Sequence, residues 1–475
     1  MDASALEPFR GMAAYRAKRV AEWDRYRRKP LSRYYHERVR RRYQHFIPPG
    51  ARVLEIGCGR GDLLASVKPA FGVGLDFSPV AISHAKAHHP ALHFAQAEAH
   101  NLCVLAEFDY IIVSELVNDL WDVQAALSEI AKLAGPHTRI LINFYNHLWS
   151  VPLRLSHQLG VANPVLNENW LTYEDIGNML YLANFEVIRH TTDIAAPVRV
   201  PWLSNFCNRY LVRLWPFYHF ALTHFVIARP MPSKRREATV SVIVPARNEA
   251  GNIDDILARL PDLGVRTELI FVEGNSTDGT YDAIERKLAA FPGRPFSLYR
   301  QSGKGKGDAV RLGFAKATGD ILMILDADLT VPPEDIRRFY ETIVSGKGEF
   351  VNGVRLVYPM EDRAMRFFNL AGNKFFSLTF SWLLGQSIKD TLCGTKVLWR
   401  KDYEKIASNR SYFGDFDPFG DFDLLFGAAK LNLRIVDLAV RYRHRKYGTT
   451  NIQRWRHGMA LLRMAAFAAR KIKFI

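Results

Sequence analysis

"GDILMILDADLT" fills residues 319–330, an apolar run that ends on two aspartates with one alanine between them. In extended geometry alternate residues point to the same side, so Asp326 and Asp328 share a face and repel each other unless a cation sits between them. The stretch just before it, "SGKGKGDAVRLGFAKAT" (302–318), supplies a cationic glycine loop and a helix. Further upstream, "VIVPARNEAGNI" (242–253) reads as a strand running into a polar loop. "LIFVEGNSTDGT" (269–280) reads as a strand ending in Glu273, with Ser276, Thr277 and Asp278 available to cap a helix. In an open α/β sheet, ligands bind outside the carboxyl ends of the strands, and Pro245, Glu273 and Asp326 all sit at such ends. The acid pair therefore reads as a clamp for a hard cation, Mg²⁺ or Mn²⁺, completed by phosphate oxygens. Capping of the next helix is the competing reading, but "PPED" (332–335) already supplies that helix with prolines and first-turn acids.

Outward from this site the same alternation fills the chain. Strands are predicted at 51–57, 71–76, 108–114, 138–144 and 224–228, then again at 240–245, 267–272 and 319–326. Helices are predicted from about Asp62 and Pro79 in the first half, and from about Asn252, Asp278 and Gly307 in the second. Between the halves, "RPMPSKRREAT" (229–239) carries prolines and charge without apolar periodicity and reads as a linker. The expected organisation is residues 1–228, the linker 229–239, and residues 240–475. With 475 residues, more than one core is expected.

The first half has its own motif. "VLEIGCGRGDLL" (53–64) is a strand, a glycine-rich turn through Gly57, Gly59 and Gly61, and a helix start. About 20 residues on, Asp76 ends the next strand, where a carboxylate can accept hydrogen bonds from ribose hydroxyls. The spacing is G-x-G-x-G, not the G-x-G-x-x-G of a dinucleotide site. Together with "FDYIIVSELV" (108–117), these residues resemble class I S-adenosylmethionine-dependent methyltransferases. The resemblance implies a Rossmann-like domain binding S-adenosyl-L-methionine through Glu55, Gly57, Gly59, Gly61 and Asp76. Glu98 stands where the family usually has an adenine-contacting Asp. Glu115 and Asp119 follow the fourth strand, where an acceptor would lie, and read either as bases or as capping or solvated acids.

The motifs of residues 239–455 resemble, in order and spacing, the family 2 glycosyltransferases of GT-A fold. The resemblance implies that Pro245, Arg247, Glu249 and Glu273 hold a nucleotide, that Lys306 lines the donor pocket, and that Asp326 and Asp328 bind the metal–diphosphate. Glu273 and Gly274 replace the usual pair of aspartates, and Thr330 replaces a Gln or Ser. "DTLCGTKVLWR" (390–400) and "GDFDLLFGAAKLNLRIVDLAVRYRHRKYGTTNIQRW" (420–455) are similar to the dolichyl-phosphate mannosyltransferase branch, which makes Arg445 a phosphate-gripping residue. The Ser-Lys pair of that branch is Thr450-Asn451 here.

A lipid monophosphate has its second pKa near 6 and is already a nucleophile at neutral pH. An alcohol acceptor would need a base, for which Asp421 and Asp423 are the candidates. The expectation is a bifunctional α/β enzyme: metal-dependent, inverting transfer of a sugar from a nucleotide-sugar donor to a polyprenyl phosphate, with methylation of an unnamed acceptor. The alternative is transfer to a glycan hydroxyl beside a silent adenosine-binding first domain.

Four widely spaced cysteines indicate neither a disulfide framework nor a zinc site. The net charge of +16 is concentrated before residue 43 and after residue 430, and suits anionic lipid or phosphorylated substrates. Nucleic acid is not expected, because no recognition motif accompanies the basic residues. No stretch is long and apolar enough to span a membrane; "LWPFYHFALTHFVIA" (214–228) and "FFSLTFSWLLG" (375–385) read as interfacial or core segments. "DRAMRFFNLAGNKFFSLTFSWLLG" (362–385), with Arg363, Arg366 and Lys374, suits either a lipid with an anionic head or a buried helix pair. In "IQRWRHGMALLRMAAFAARKIKFI" (452–475), Trp455, Met459, Leu462 and Ala466 make one stripe, and Arg456, Arg463 and Arg470 recur every seven residues. That is a basic amphipathic helix, suited to peripheral contact with the cytoplasmic face of a membrane or to docking on the protein's own core.

Overall fold

The run "ILMI" does form a central strand. The computed structural model describes residues 30–104, 106–158, 169–232, 235–290, 295–355, 357, 367–409, 422–445, 447 and 454–474. The chain divides into two compact units, one ending at Met231 and the other running from Pro232 to Lys473; Phe474 groups with the first. Each is built on a seven-stranded sheet.

In the first unit, β1 (Arg52–Ile56), β2 (Phe71–Asp76), β3 (His93–Gln96), β4 (Tyr110–Ser114) and β5 (Arg139–Tyr145) run parallel. β6 (Phe185–Asp193) and β7 (Thr223–Pro230) close the edge, β7 lying antiparallel between β5 and β6. The order is β3-β2-β1-β4-β5-β7-β6, so the chain reverses direction across the sheet between β1 and β4. The helix Pro30–Phe46 packs Tyr35, Val39, Tyr43 and Phe46 into the core beneath. Arg38 and Arg42 of that helix, with Arg213, converge on the fully buried Asp193. Part of the positive charge before residue 43 is therefore internal ion pairing and not available to a partner.

The second unit holds β8 (Val240–Ala246), β9 (Thr267–Glu273), β10 (Phe296–Arg300), β11 (Ile321–Ile324), β12 (Phe350–Val354), β13 (Lys396–Trp399) and β14 (Ile435–Ala439), in the order β10-β9-β8-β11-β13-β12-β14. Only β13 is antiparallel to its neighbours. Ile321, Leu322, Met323 and Ile324 are wholly buried, which is why the run has no polar face. The reversal falls between β8 and β11.

The structure refines three readings of the sequence. β7 continues through Pro230, so the first residues of the expected linker belong to the first sheet. From Arg235 on, the segment is tied to the second unit: Arg235 pairs with Glu341, and Arg236 N donates to Val344 O. The stretch 214–228 splits, with 214–220 exposed and Thr223–Pro230 forming β7. In the helix Arg454–Ala468 the buried side chains are Leu461, Met464, Ala465 and Ala468, which join the second unit's core, whereas Met459 and Leu462 are about half exposed (54% and 47%). The apolar stripe read from the sequence is the outer face.

Candidate functional site

Glutamate and aspartate at strand ends need partners, and the two units supply them differently. In the first unit the turn after β1 carries left-handed backbone at Gly57 and Gly61, both at φ 74°, which a side chain would strain. A Cβ on Gly61 would lie 2.6 Å from the Phe94 ring, so that glycine also buys the close packing of turn on strand. Glu55 is buried within this frame, and its Oε2 accepts from Leu64 N at 2.9 Å, fixing the start of the helix Asp62–Ser66. Asp76 ends β2; its Oδ2 accepts from Gly59 N at 2.8 Å and its Oδ1 from Ser78 N at 2.9 Å. Burial raises the pKa of both carboxyls, more strongly at Glu55, while their backbone bonds oppose the shift. Glu98 lies after β3 and pairs with His100 Nδ1 at 2.9 Å. Asp76 and the turn fit a nucleoside: the carboxylate keeps lone pairs for hydroxyl donors, and the glycines let backbone approach.

Beyond β4, Glu115 has a left-handed backbone at φ 59° and accepts from Tyr145 Oη at 3.1 Å. His36 Nδ1 stands 4.0 Å from its other oxygen. Leu116, the next residue, closes over Gly57. Glu115 thus sits beside the glycine turn, among two side chains no local sequence pattern links to it.

In the second unit the carboxylates at the reversal are matched by cations. Asp326 Oδ1 is 2.5 Å from Lys306 Nζ. Asp328 Oδ2 is 2.9 Å from Arg445 Nη2, which also lies 3.1 Å from Glu249 Oε1. Asp328 Oδ1 accepts from Thr330 N and Oγ1, at 3.1 and 2.7 Å. Gly394, in the loop before β13, has no room for a Cβ: one would fall 2.0 Å from both Asp326 Oδ2 and Lys306 Nζ. Burial lifts Glu249 to about 7, with Arg445 opposing and Asp328 adding to the rise.

Around these residues two loops are laced together. Asn248 N donates to Ser276 Oγ at 2.9 Å, Glu249 N to Thr280 Oγ1 at 2.9 Å, and Thr277 N to Asn248 Oδ1 at 2.8 Å. Ser276 and Thr277, read from the sequence as helix caps, instead bind across to the loop after β8. Asp278 does both, accepting from Thr280 and from Ala250 N. Pro245, next to last in β8, is half-buried, Arg247 is exposed at the rim, and Glu273 is buried with its carboxylate accepting from Ser276 N at 2.5 Å. Tyr447 reaches the same place, its Oη 3.2 Å from Asp278 Oδ2. Neither Asn248 nor Tyr447 could be singled out from sequence, since each acts through a loop distant in the chain.

Asp421 lies outside the described residues, as do Arg363, Arg366, Gly448, Thr450 and Asn451. Asp423 is buried on the helix Phe422–Lys430, with Arg311 Nη2 3.9 Å away. Among the described residues no three His, Cys, Asp or Glu side chains cluster as a metal cage. Two hard carboxylates fit a divalent ion that takes its remaining ligands from phosphate and water, which is the usual demand of Mg²⁺.

Residues 241–407 match the model of glycosyl transferase family 2, and residues 23–190 match that of a methyltransferase domain. The chain joins a methyltransferase domain to a family 2 glycosyltransferase domain. The glycosyltransferase domain is similar to the dolichol-phosphate mannosyltransferase of Pyrococcus furiosus (34% identical over 109 residues, 22% of this chain and 30% of the relative). It is also similar to that of Saccharomyces cerevisiae (38% over 108 residues, 22% and 40%). The polyprenol monophosphomannose synthase of Mycolicibacterium smegmatis is 25% identical over 235 residues, 48% of this chain and 86% of the relative. The matches to the first two thus span well under half of those relatives. For the methyltransferase domain, a solved S-adenosylmethionine-dependent methyltransferase from Thermotoga maritima has TM-score 0.35 at 14% identity, covering 42% of this chain and 90% of its own.

Proposed function

We propose that the glycosyltransferase domain moves a sugar from a nucleotide diphosphate to a polyprenyl phosphate, and that the methyltransferase domain methylates a second acceptor from S-adenosyl-L-methionine. The observation that carries the first part is the set of exchangeable ion pairs at the reversal of the second sheet: Lys306 on Asp326, and Arg445 on Asp328 and Glu249. Asp326 and Asp328 would hold a divalent ion, which supplies charge stabilisation to the departing diphosphate. Lys306 would then turn to diphosphate oxygens, and Arg445 to the acceptor phosphate. The acceptor oxygen attacks the anomeric carbon from the face opposite the leaving group. The carbon–oxygen bond to the diphosphate breaks with its electron pair on the diphosphate, and the configuration inverts.

A phosphate acceptor needs no base. The burial of Asp423 and its Arg311 neighbour speak against that residue as one, so the hydroxyl-acceptor reading loses its described candidate. The helix Phe367–Leu384 exposes Phe375 and Leu378, and its neighbour Arg454–Ala468 exposes Met459 and Leu462, a face suited to a lipid chain at a membrane surface. No described helix is long and apolar enough to cross one.

For methylation, Asp76 would hold the ribose of the cofactor, the glycine turn its amino-acid end, and Glu98 would lie near the base. S-adenosyl-L-methionine supplies an electrophilic methyl group. Glu115, with Tyr145 and His36, would orient the acceptor and take its proton.

The test of the sugar-transfer reading is incubation of the purified chain with a panel of nucleotide sugars, Mg²⁺ or Mn²⁺ and a membrane lipid extract. Acid-labile sugar in the organic phase is expected; sugar recovered only on water-soluble glycans would overturn the acceptor.

A further inference from the structure

Between β6 and β7 the first unit carries an arm that the sheet does not need: the helix Leu203–Arg209 and two single-turn helices, Leu211–Arg213 and Phe217–Phe220. Val212 anchors it in the core, while most of its large apolar side chains face outward. Trp202 is 80% exposed, Trp215 76% and Phe220 59%, and all of residues 214–220 are exposed. The single-turn helix His147–Trp149 and the helix Ser150–Gln158 that follows it expose Leu148, Val151 and Leu155. The two segments are bonded into one surface: Trp149 Nε1 donates to Phe220 O at 2.9 Å, and Asn146 Nδ2 to His219 O and Ala221 O at 2.8 and 2.9 Å. Asn146 directly follows Tyr145, so this surface rims the end of the sheet where Glu115 sits.

Charge selects the occupant. No Asp or Glu occurs between Asp193 and Glu237, while Arg154 and Arg199 are exposed; Arg209 is exposed too, with its Nε donating to Phe474 O at 3.1 Å. A second copy of the arm would bring like charge against like charge. Tryptophan and other aromatics beside arginine are the residues that settle at a membrane–water interface, ring in the headgroup region and cation toward lipid phosphate. An apolar patch of this kind is not left to water without use.

We propose that this aromatic arm docks the methyltransferase unit on an anionic lipid surface. Resting on the methyltransferase reading, it follows that the methyl acceptor is a membrane-borne molecule presented at the rim beside Glu115.

The test uses the full chain and vesicles of phosphatidylcholine with and without phosphatidylglycerol, comparing wild type with the Trp202→Ser/Trp215→Ser double variant. Both side chains are mostly in water, so the fold should survive their loss. Wild type is expected to partition onto the phosphatidylglycerol vesicles, with tryptophan fluorescence quenched by brominated lipid. The double variant should partition about tenfold more weakly and lose most of the quenching. Equal partitioning of the two proteins, no binding by wild type, or a wild-type dimer that the double substitution dissociates would each overturn the docking. Calorimetric titration with S-adenosylhomocysteine runs in parallel and should give the same affinity for both proteins. Failure of both to bind it would remove the methyltransferase reading and leave the docking result standing.

Discussion

The two sheets reverse direction at equivalent places, yet they treat their carboxylates in opposite ways. At the first reversal, Glu55 and Asp76 are answered by backbone N–H groups of the glycine turn and the following helices. At the second, Asp326, Asp328 and Glu249 are answered by the long side chains of Lys306 and Arg445. A backbone amide cannot leave without dismantling the loop, so the first arrangement is a fixed frame. A lysine or arginine side chain is flexible, so the second is a site of paired charges, three carboxylates facing two cations, and the proposed function requires those cations to give way to a metal and turn to phosphate.

Substitutions should separate the two behaviours. The largest effect is expected from Asp326→Ala, which should lower sugar transfer by roughly 10³-fold or more, in the range of lost transition-state charge stabilisation, and leave S-adenosylhomocysteine binding unchanged by calorimetry. The reciprocal change, Asp76→Ala, should weaken S-adenosylhomocysteine binding by about 10–100-fold, the equivalent of one to two charge-assisted hydrogen bonds, without altering sugar transfer. If either substitution moved both activities, the two sites would not be separate.

A third variant probes a pair that only resembles the exchangeable ones. Arg355 grips Asp390 through Nε and Nη2, at 2.7 and 2.9 Å, and the aspartate is wholly buried. Burial alone would push the Asp390 carboxyl up, but the arginine outweighs it and holds the group below its ordinary value. This pair is framework. Arg355→Met should destabilise the second unit by about 3–5 kcal/mol, because it strands a buried charge, as measured by urea unfolding.

Smaller effects should appear with pH. The folded pKa of Glu249, about 7, lies above its ordinary 4.5, so its contribution to stability is present below 4.5 and is lost as pH rises toward 7. The melting temperature of Glu249→Gln relative to wild type should therefore rise across that window. The first unit should show the opposite sign. His190 and His224 hydrogen-bond each other at 2.8 Å, and burial lowers them to about 4 and about 3. Stability from their neutral forms is present above 6.5 and lost as pH falls toward those values. His224→Phe should blunt that acid loss in a pH series of thermal melts.

The strands that build both reversals are legible because each is a run of buried apolar residues that gives way to a polar or glycine-rich turn. Edge strands such as β3, with one buried residue in four, and β10, only half-buried, carry too little pattern to stand out. Asp326, Asp328, Lys306, Glu249 and Arg445 were nameable from motif order, but their pairing was not. Arg445 meets Asp328 and Glu249 only because the loop after β14 crosses the ends of β8 and β11. In the helix Arg454–Ala468 the sequence leaves the buried face open for a related reason. It is rich in alanine and leucine all round, so the packing partner, the helix Phe367–Leu384, decides which stripe is buried, and that partner is not written in the helix itself.

The central claim is that the cations at the second reversal are placeholders for a metal–diphosphate. Anomalous diffraction from crystals of the full chain grown with Mn²⁺ and a nucleotide diphosphate tests it directly. The account predicts manganese roughly 2.1 Å from a carboxylate oxygen of Asp326 or Asp328, with Lys306 moved onto a phosphate. Manganese bound elsewhere, with the Lys306–Asp326 pair unbroken, would contradict it.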